Sequence, residues 1–227
     1  MARLTVQRNP TIAGHHVHRL ETIRICQPVA PLAAADYIGA MKAKDADIIM
    51  IPGYGGSGPL HWQTRWQQKL STAQRVEQRD WDAPEREPWA RAVADMVNSS
   101  GKPVVLVAHS LGVPTAINAL EFMARRPAGA FLVAPPDLDN TDLLSPQMLG
   151  FGPYQGERLP FPSITVGSQN DPYCAADVSE SLAGGWGSLF INAGEAGHIN
   201  SDAGYGPWPE GLLAFGQFLG KLQPDEA

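Results

Sequence analysis

The sequence predicts an α/β fold: a mainly parallel, twisted sheet with helices on both faces. Three observations carry that expectation. Apolar runs at 47–51, 104–108, 130–134, 163–167 and 188–192 alternate with segments of helical spacing, the pattern of a parallel sheet covered on both sides. The run Val104-Val105-Leu106-Val107-Ala108 stops at His109-Ser110-Leu111-Gly112 and leads into a helix-like stretch, which reads as buried strand, sharp turn and helix. With 227 residues and 44% hydrophobic content, the chain can bury one sizeable core. No internal repeat is evident.

In chain order, residues 1–45 read as an N-terminal extension of unclear role. Arg3, Arg8 and Arg19 occur there with no acidic residue before Glu21, and an edge strand at 22–25 and a short helix at 33–41 are expected. His15, His16 and His18 do not match a structural zinc spacing and read as a polar tail. The main domain spans 46–222. Its first strand, 47–51, runs into the glycine-rich loop Pro52-Gly53-Tyr54-Gly55-Gly56. A helix follows at 61–70, with Trp62 and Trp66 four apart on one face, and then a weaker strand at 73–78. Trp89, Val93, Met96 and Val97 repeat at helical spacing between Pro88 and Gly101. The helix after Ser110 should run from 111 to about 125, and strand 130–134 ends in Pro135-Pro136-Asp137. Segment 139–158, rich in Gly, Pro and polar residues, reads as loop and short helix, which predicts a minimal lid over an open pocket. Strands 163–167 and 188–192 complete the sheet, and 223–227 form a C-terminal tail.

The chemistry gathers at strand ends. A serine at the apex of a strand-turn-helix resembles the nucleophile elbow of α/β-hydrolases, usually G-x-S-x-G; here Ala108 occupies the first glycine position. His198, in the glycine-bounded loop Gly194-Glu195-Ala196-Gly197-His198, is the candidate base, since imidazole titrates near neutrality. Asp171, after strand 163–167, is the candidate orienting acid. Asp137, at the end of strand 130–134, is its rival. Serine, acid, histidine is the chain order of that fold. The backbone N–H groups of Tyr54 and Leu111 are the candidate oxyanion hole. The glycine loop lacks the Gly-Lys-Ser/Thr ending of a phosphate loop. Tyr54, His61, Trp81, Phe151, Tyr154 and Trp208 are candidate pocket walls, because loops after strand ends surround the active face of open sheets. His109 should face away from Ser110, as its neighbour on a strand.

Together with Asn170-Asp171-Pro172, Gly197-His198-Ile199-Asn200 and Tyr205-Gly206-Pro207-Trp208-Pro209-Glu210-Gly211, these blocks resemble the small single-domain serine hydrolases related to retinoblastoma-binding protein nine. The resemblance covers about 47–222. It implies an α/β-hydrolase fold and esterase-like chemistry, with Ser110 as nucleophile, Asp171 as acid and His198 as base.

Composition narrows the partners. With 17 Lys and Arg against 23 Asp and Glu, the net charge of −6 argues against nucleic-acid binding, which rests on clustered cations. No apolar run approaches the roughly 20 residues of a membrane span, and 1–30 lack a signal-peptide core, so a soluble cytoplasmic protein is expected. Cys26 and Cys174 form neither a disulfide framework nor a metal spacing and read as reduced packing residues. No cofactor or metal is expected. The expected function is hydrolysis of a small ester, thioester or amide. Acyl transfer by the same residues, and a non-catalytic binding or regulatory protein on the same scaffold, remain the alternatives.

Overall fold

The computed structural model describes residues 41–154 and 156–223. The strand expected at 22–25, the histidines at 15, 16 and 18, Cys26, and the helix expected at 33–41 except Met41 lie outside the described residues. In chain order the elements are β1 (Asp47–Ile51), α1 (Trp62–Lys69), β2 (Ala73–Arg75), α2 (Arg86–Ser99), β3 (Val104–His109), α3 (Gly112–Asn118), β4 (Gly129–Val133), α4 (Pro146–Leu149), β5 (Ser163–Gly167), α5 (Ala176–Trp186), β6 (Leu189–Asn192) and α6 (Pro209–Leu219). Among the described residues the six strands lie in the order β2-β1-β3-β4-β5-β6, and each pairing is parallel.

The central strands are continuously apolar because both faces are covered. Side chains alternate between those faces. Ile48, Met50, Val105, Val107, Phe131 and Val133 pack against Trp62 and Trp66 of α1 and Phe215, Phe218 and Leu219 of α6. Ile49, Ile51, Leu106, Ala108, Ala130 and Leu132 pack against Ala90, Val93 and Val97 of α2, Val113 and Ile117 of α3, and Trp186 of α5. The tryptophans spaced four apart in α1 thus lie on its buried face.

Two boundaries differ from the sequence expectation. The α-helix after Ser110 stops at Asn118 and tightens into a 3-10 turn, Ala119–Phe122. The Asn98 side chain of α2 clamps that turn, donating to the Phe122 carbonyl and accepting the Ala124 N–H. Strand β2 covers three residues rather than six, because it pairs with β1 only through Ala73, Gln74 and Arg75. β6 is the opposite edge, with Leu189 exposed.

Candidate active site

Strand order reverses between β1 and β3: the chain leaves β1 for the β2 edge, returns to β3, then steps outward to β6. Ligands of open α/β sheets bind at such switch points, beyond the carboxyl ends of the strands. The loop after β1 and the turn after β3 meet there. Ser110 sits in the left-handed region at φ 55°, a strained conformation for a residue with a side chain. The Ser110 N–H donates to the Val133 carbonyl, and its own carbonyl accepts from Val113. Close packing explains the glycines around the turn. A Cβ at Gly112 would lie 2.2 Å from the Ile51 carbonyl oxygen, and one at Gly53 would lie 2.8 Å from the Ser110 Cβ and 2.9 Å from the Leu111 nitrogen. Ala108 differs: its methyl is buried among α2 and α3 side chains, so the core fills the space that a glycine would leave.

From this turn a relay of hydrogen bonds runs outward. His198 Nε2 lies 2.8 Å from Ser110 Oγ, and His198 Nδ1 lies 2.9 and 3.0 Å from the two Asp171 oxygens. The carboxylate side chain is 2% exposed and the imidazole 9%. Asp171 Oδ1 also accepts the Tyr173 N–H, and the Tyr173 ring packs edge-on to His198 at 4.6 Å. Asp137 takes no part: its carboxylate accepts the Asp139 N–H. The loop carrying His198 is fixed by its backbone. Its carbonyl lies 2.9 Å from His109 Nε2, the next carbonyl, of Ile199, accepts Trp62 Nε1–H at 2.9 Å, and Asn170 Oδ1 accepts the Gly197 N–H at 2.6 Å. His109 does not leave the site as its place on the strand suggests. Its ring stands 5.0 Å from that of His198.

The glycine loop is anchored by a buried amide. Gln63, fully enclosed, donates to the Ile51 and Val107 carbonyls and accepts Ser57 Oγ–H at 2.6 Å. Arg75 reinforces it through the Ser57 carbonyl and Thr64 Oγ1. Among the described residues, neither the Tyr54 nor the Leu111 N–H has an acceptor within the protein. Both flank Ser110 in sequence or across Gly53, whose Cα the elbow approaches.

A cavity of about 240 Å³ opens over Ser110 and His198. Its lining comes from three stretches besides the elbow: Tyr54, Gly56, Gly58 and His61 after β1; Pro136, Leu144, Met148 and Tyr173; and Asn200, Ser201 and Asp202 after His198. Leu144 and Met148 come from the short segment around α4, which covers the site in place of a long cap. Of the six expected walls, Tyr54 and His61 border this cavity, and the other four side chains pack elsewhere. Trp208 is buried against Trp62, Trp66 and Phe131, with Gly211 beneath its indole. Phe151 is buried on Trp89 beneath the elbow. Tyr154 packs on Trp186 and donates its hydroxyl to the Pro136 carbonyl. Trp81 covers Gly56 from outside and stacks edge-on with Trp89. Packing on apolar neighbours is favourable for an aromatic ring, and each of the four makes such contacts.

Sequence reading also missed Tyr173 and the roles of Trp62 and His109. Tyr173 stands two residues after Asp171, so its position in the same loop was a usable signal. A buried indole N–H needs an acceptor, and that requirement pointed to a partner for Trp62. His109 gave no such signal.

Burial dominates the electrostatics. It pushes His61 down to about 3, helped by Arg75 and His198, and holds His109 well below its ordinary value, helped by His61 and His198. Both rings are therefore neutral near pH 7. Among the described residues that line the cavity, Asp202 alone is an acidic, lysine or arginine side chain. Among the described residues no group of His, Cys, Asp or Glu is placed to hold a metal ion, and no helix is long and apolar enough to cross a membrane. Cys174 is buried, and burial raises its thiol to about 11.

The model of the family described as Serine hydrolase matches residues 48–217, three quarters of the chain, and the protein belongs to that family. A structure described as a YdeN-like hydrolase from Pectobacterium atrosepticum is 31% identical, with 80% of this chain and 95% of that one covered and a TM-score of 0.72. The ydeN gene product of B. subtilis is 21% identical over 77% of this chain and 98% of that one, with a TM-score of 0.63. RedJ, a thioesterase of the prodiginine pathway in Streptomyces coelicolor, is 18% identical over 86% and 96%, with a TM-score of 0.54. The latter two share the fold. Among curated proteins no sequence matches.

Proposed function

We propose that the protein hydrolyses a small ester, thioester or amide through an acyl-enzyme on Ser110. The observation that carries this reading is the unbroken relay from Ser110 Oγ through His198 to Asp171, every link at 3.0 Å or less. Ser110 Oγ attacks the substrate carbonyl carbon while His198 Nε2 takes its proton. The carbonyl oxygen becomes an oxyanion facing the Tyr54 and Leu111 N–H groups, whose lack of internal acceptors supports that role. Collapse expels the leaving group, which receives the proton from His198. Water then adds to the acyl carbon with His198 as base, and the second collapse releases the acid and restores the Ser110 hydroxyl. Asp171 holds the proton on Nδ1 and stabilises the imidazolium in both halves. Acyl transfer to another nucleophile would use the same groups. The resemblance of the Ser110, Asp171 and His198 blocks to hydrolases related to retinoblastoma-binding protein nine supports an esterase-like reading.

A p-nitrophenyl ester tests the reading directly. Rapid mixing should release a burst of about one p-nitrophenolate per protein, the mark of acyl-enzyme accumulation. Asp171→Asn should lower kcat/KM by about 10⁴, while Asp137→Asn changes it only a few-fold. A larger loss for Asp137→Asn would overturn the assignment.

A further inference from the structure

Two side chains at the cavity have hydrogen-bonding atoms that acyl transfer does not use. His61 caps α1, and its Nδ1 accepts the Gln63 N–H at 3.2 Å. A backbone N–H only donates, so Nδ1 is the bare nitrogen and neutral His61 carries its proton on Nε2. His109 is fixed in the complementary sense. Its Nε2 faces the His198 carbonyl oxygen, which only accepts, so Nε2 is protonated and Nδ1 presents a lone pair. Among the described residues neither His61 Nε2 nor His109 Nδ1 has a partner, and neither is among the unpartnered atoms sealed from solvent, which are Trp66 Nε1 and Ser163 Oγ. Both residues are 5% exposed and both line the cavity with Ser110. Their rings stand edge-on at 4.8 Å, and the His109 ring is 5.0 Å from that of His198.

We propose that His61 and His109 form a neutral donor–acceptor pair that binds a hydroxyl group of the substrate beside its scissile ester. The hydroxyl oxygen accepts His61 Nε2–H and donates its own proton to His109 Nδ1. A hydroxyl can make both bonds at once because its oxygen accepts while its own proton is donated. An alkyl group at that position would leave two polar nitrogens desolvated and unpaired, the arrangement that discriminates most strongly between otherwise similar substrates. A carboxylate or phosphate has no proton to donate, so at this position it would satisfy His61 Nε2–H but face the His109 lone pair unpaired. The substrate class is therefore an ester bearing a hydroxyl group. The inference rests on the serine hydrolase reading and extends it.

Two matched ester pairs test it on the full chain: glyceryl monobutyrate against propyl butyrate, and p-nitrophenyl 3-hydroxybutyrate against p-nitrophenyl butyrate. The first places the hydroxyl on the leaving group, the second on the acyl group. The hydroxylated member of one pair should be favoured about tenfold in kcat/KM. His61→Asn keeps a side chain able to cap α1 and removes the ring N–H. In that variant the ratio should fall toward one, with fluorophosphonate labelling of Ser110 reporting that the site is still formed. A wild-type ratio near one in both pairs overturns the inference without any variant, and so does a preference that His61→Asn leaves unchanged. Turnover of plain esters without hydroxyl preference removes this inference alone. No turnover of any ester together with no labelling of Ser110 removes the hydrolase reading as well.

Discussion

His198 is held through its main chain as much as through its side chain. His109 bonds its carbonyl, and Trp62 bonds the next, from a position 137 residues earlier in the chain. Trp62→Phe keeps an aromatic ring in the core and deletes that hydrogen bond. It should lower kcat about tenfold with a smaller change in KM, and cost about 2 kcal/mol of stability. A loss of stability with kcat unchanged would limit Trp62 to packing. This residue also marks what sequence can carry. Ser110, Asp171 and His198 are legible because each follows an apolar run ending in a turn, a local signature. The pairing of Trp62 with Ile199 has no local signature. The same limit explains Trp81, Phe151, Tyr154 and Trp208: an aromatic near a strand end can face the opening or the core, and only the packed structure decides which.

At the scale of elements, the crossing of β1 and α3 fixes the geometry of the turn at Ser110. Gly112→Ala would drive a methyl to 2.2 Å from the Ile51 carbonyl. Neither partner is a flexible side chain, so the helix must shift away from the strand. We expect a loss of several kcal/mol or an insoluble product, read by urea unfolding. Ala108→Gly, which restores the commoner motif, should instead cost about 1 kcal/mol, because it removes a buried methyl and frees the backbone of a central strand. Equal stability of Gly112→Ala and the wild type would contradict the packing. Element existence is largely legible: the apolar runs become strands and the tryptophan-bearing segments become helices. Their ends are less so. The helix after Ser110 stops where Asn98 of another helix clamps it, and β2 stops where β1 ceases to offer partners.

For the whole molecule, two buried neutral histidines link stability to pH. His61 is held at about 3 in the folded chain against 6.5 unfolded, and His109 is shifted the same way. Between those values the unfolded chain binds more protons than the folded one, so stability falls as pH drops below 6.5. Each histidine contributes up to about 1.4 kcal/mol per pH unit in that window. Urea midpoints at pH 7.5, 6.5 and 5.5 should decline through the last interval, and less steeply in His61→Asn. A flat profile would show that the histidines are solvated or charged in the folded state. The parallel sheet and its covering helices follow from the alternation of apolar and helical segments, and the site lies where its strand order reverses.

Activation of Ser110 by this relay can be tested with a fluorophosphonate probe, without knowledge of the substrate. One adduct per chain, located at Ser110 by mass spectrometry, absent in Ser110→Ala and strongly reduced in His198→Ala, is the predicted result. Folded wild-type protein that stays unlabelled, or that is labelled on another residue, would contradict it.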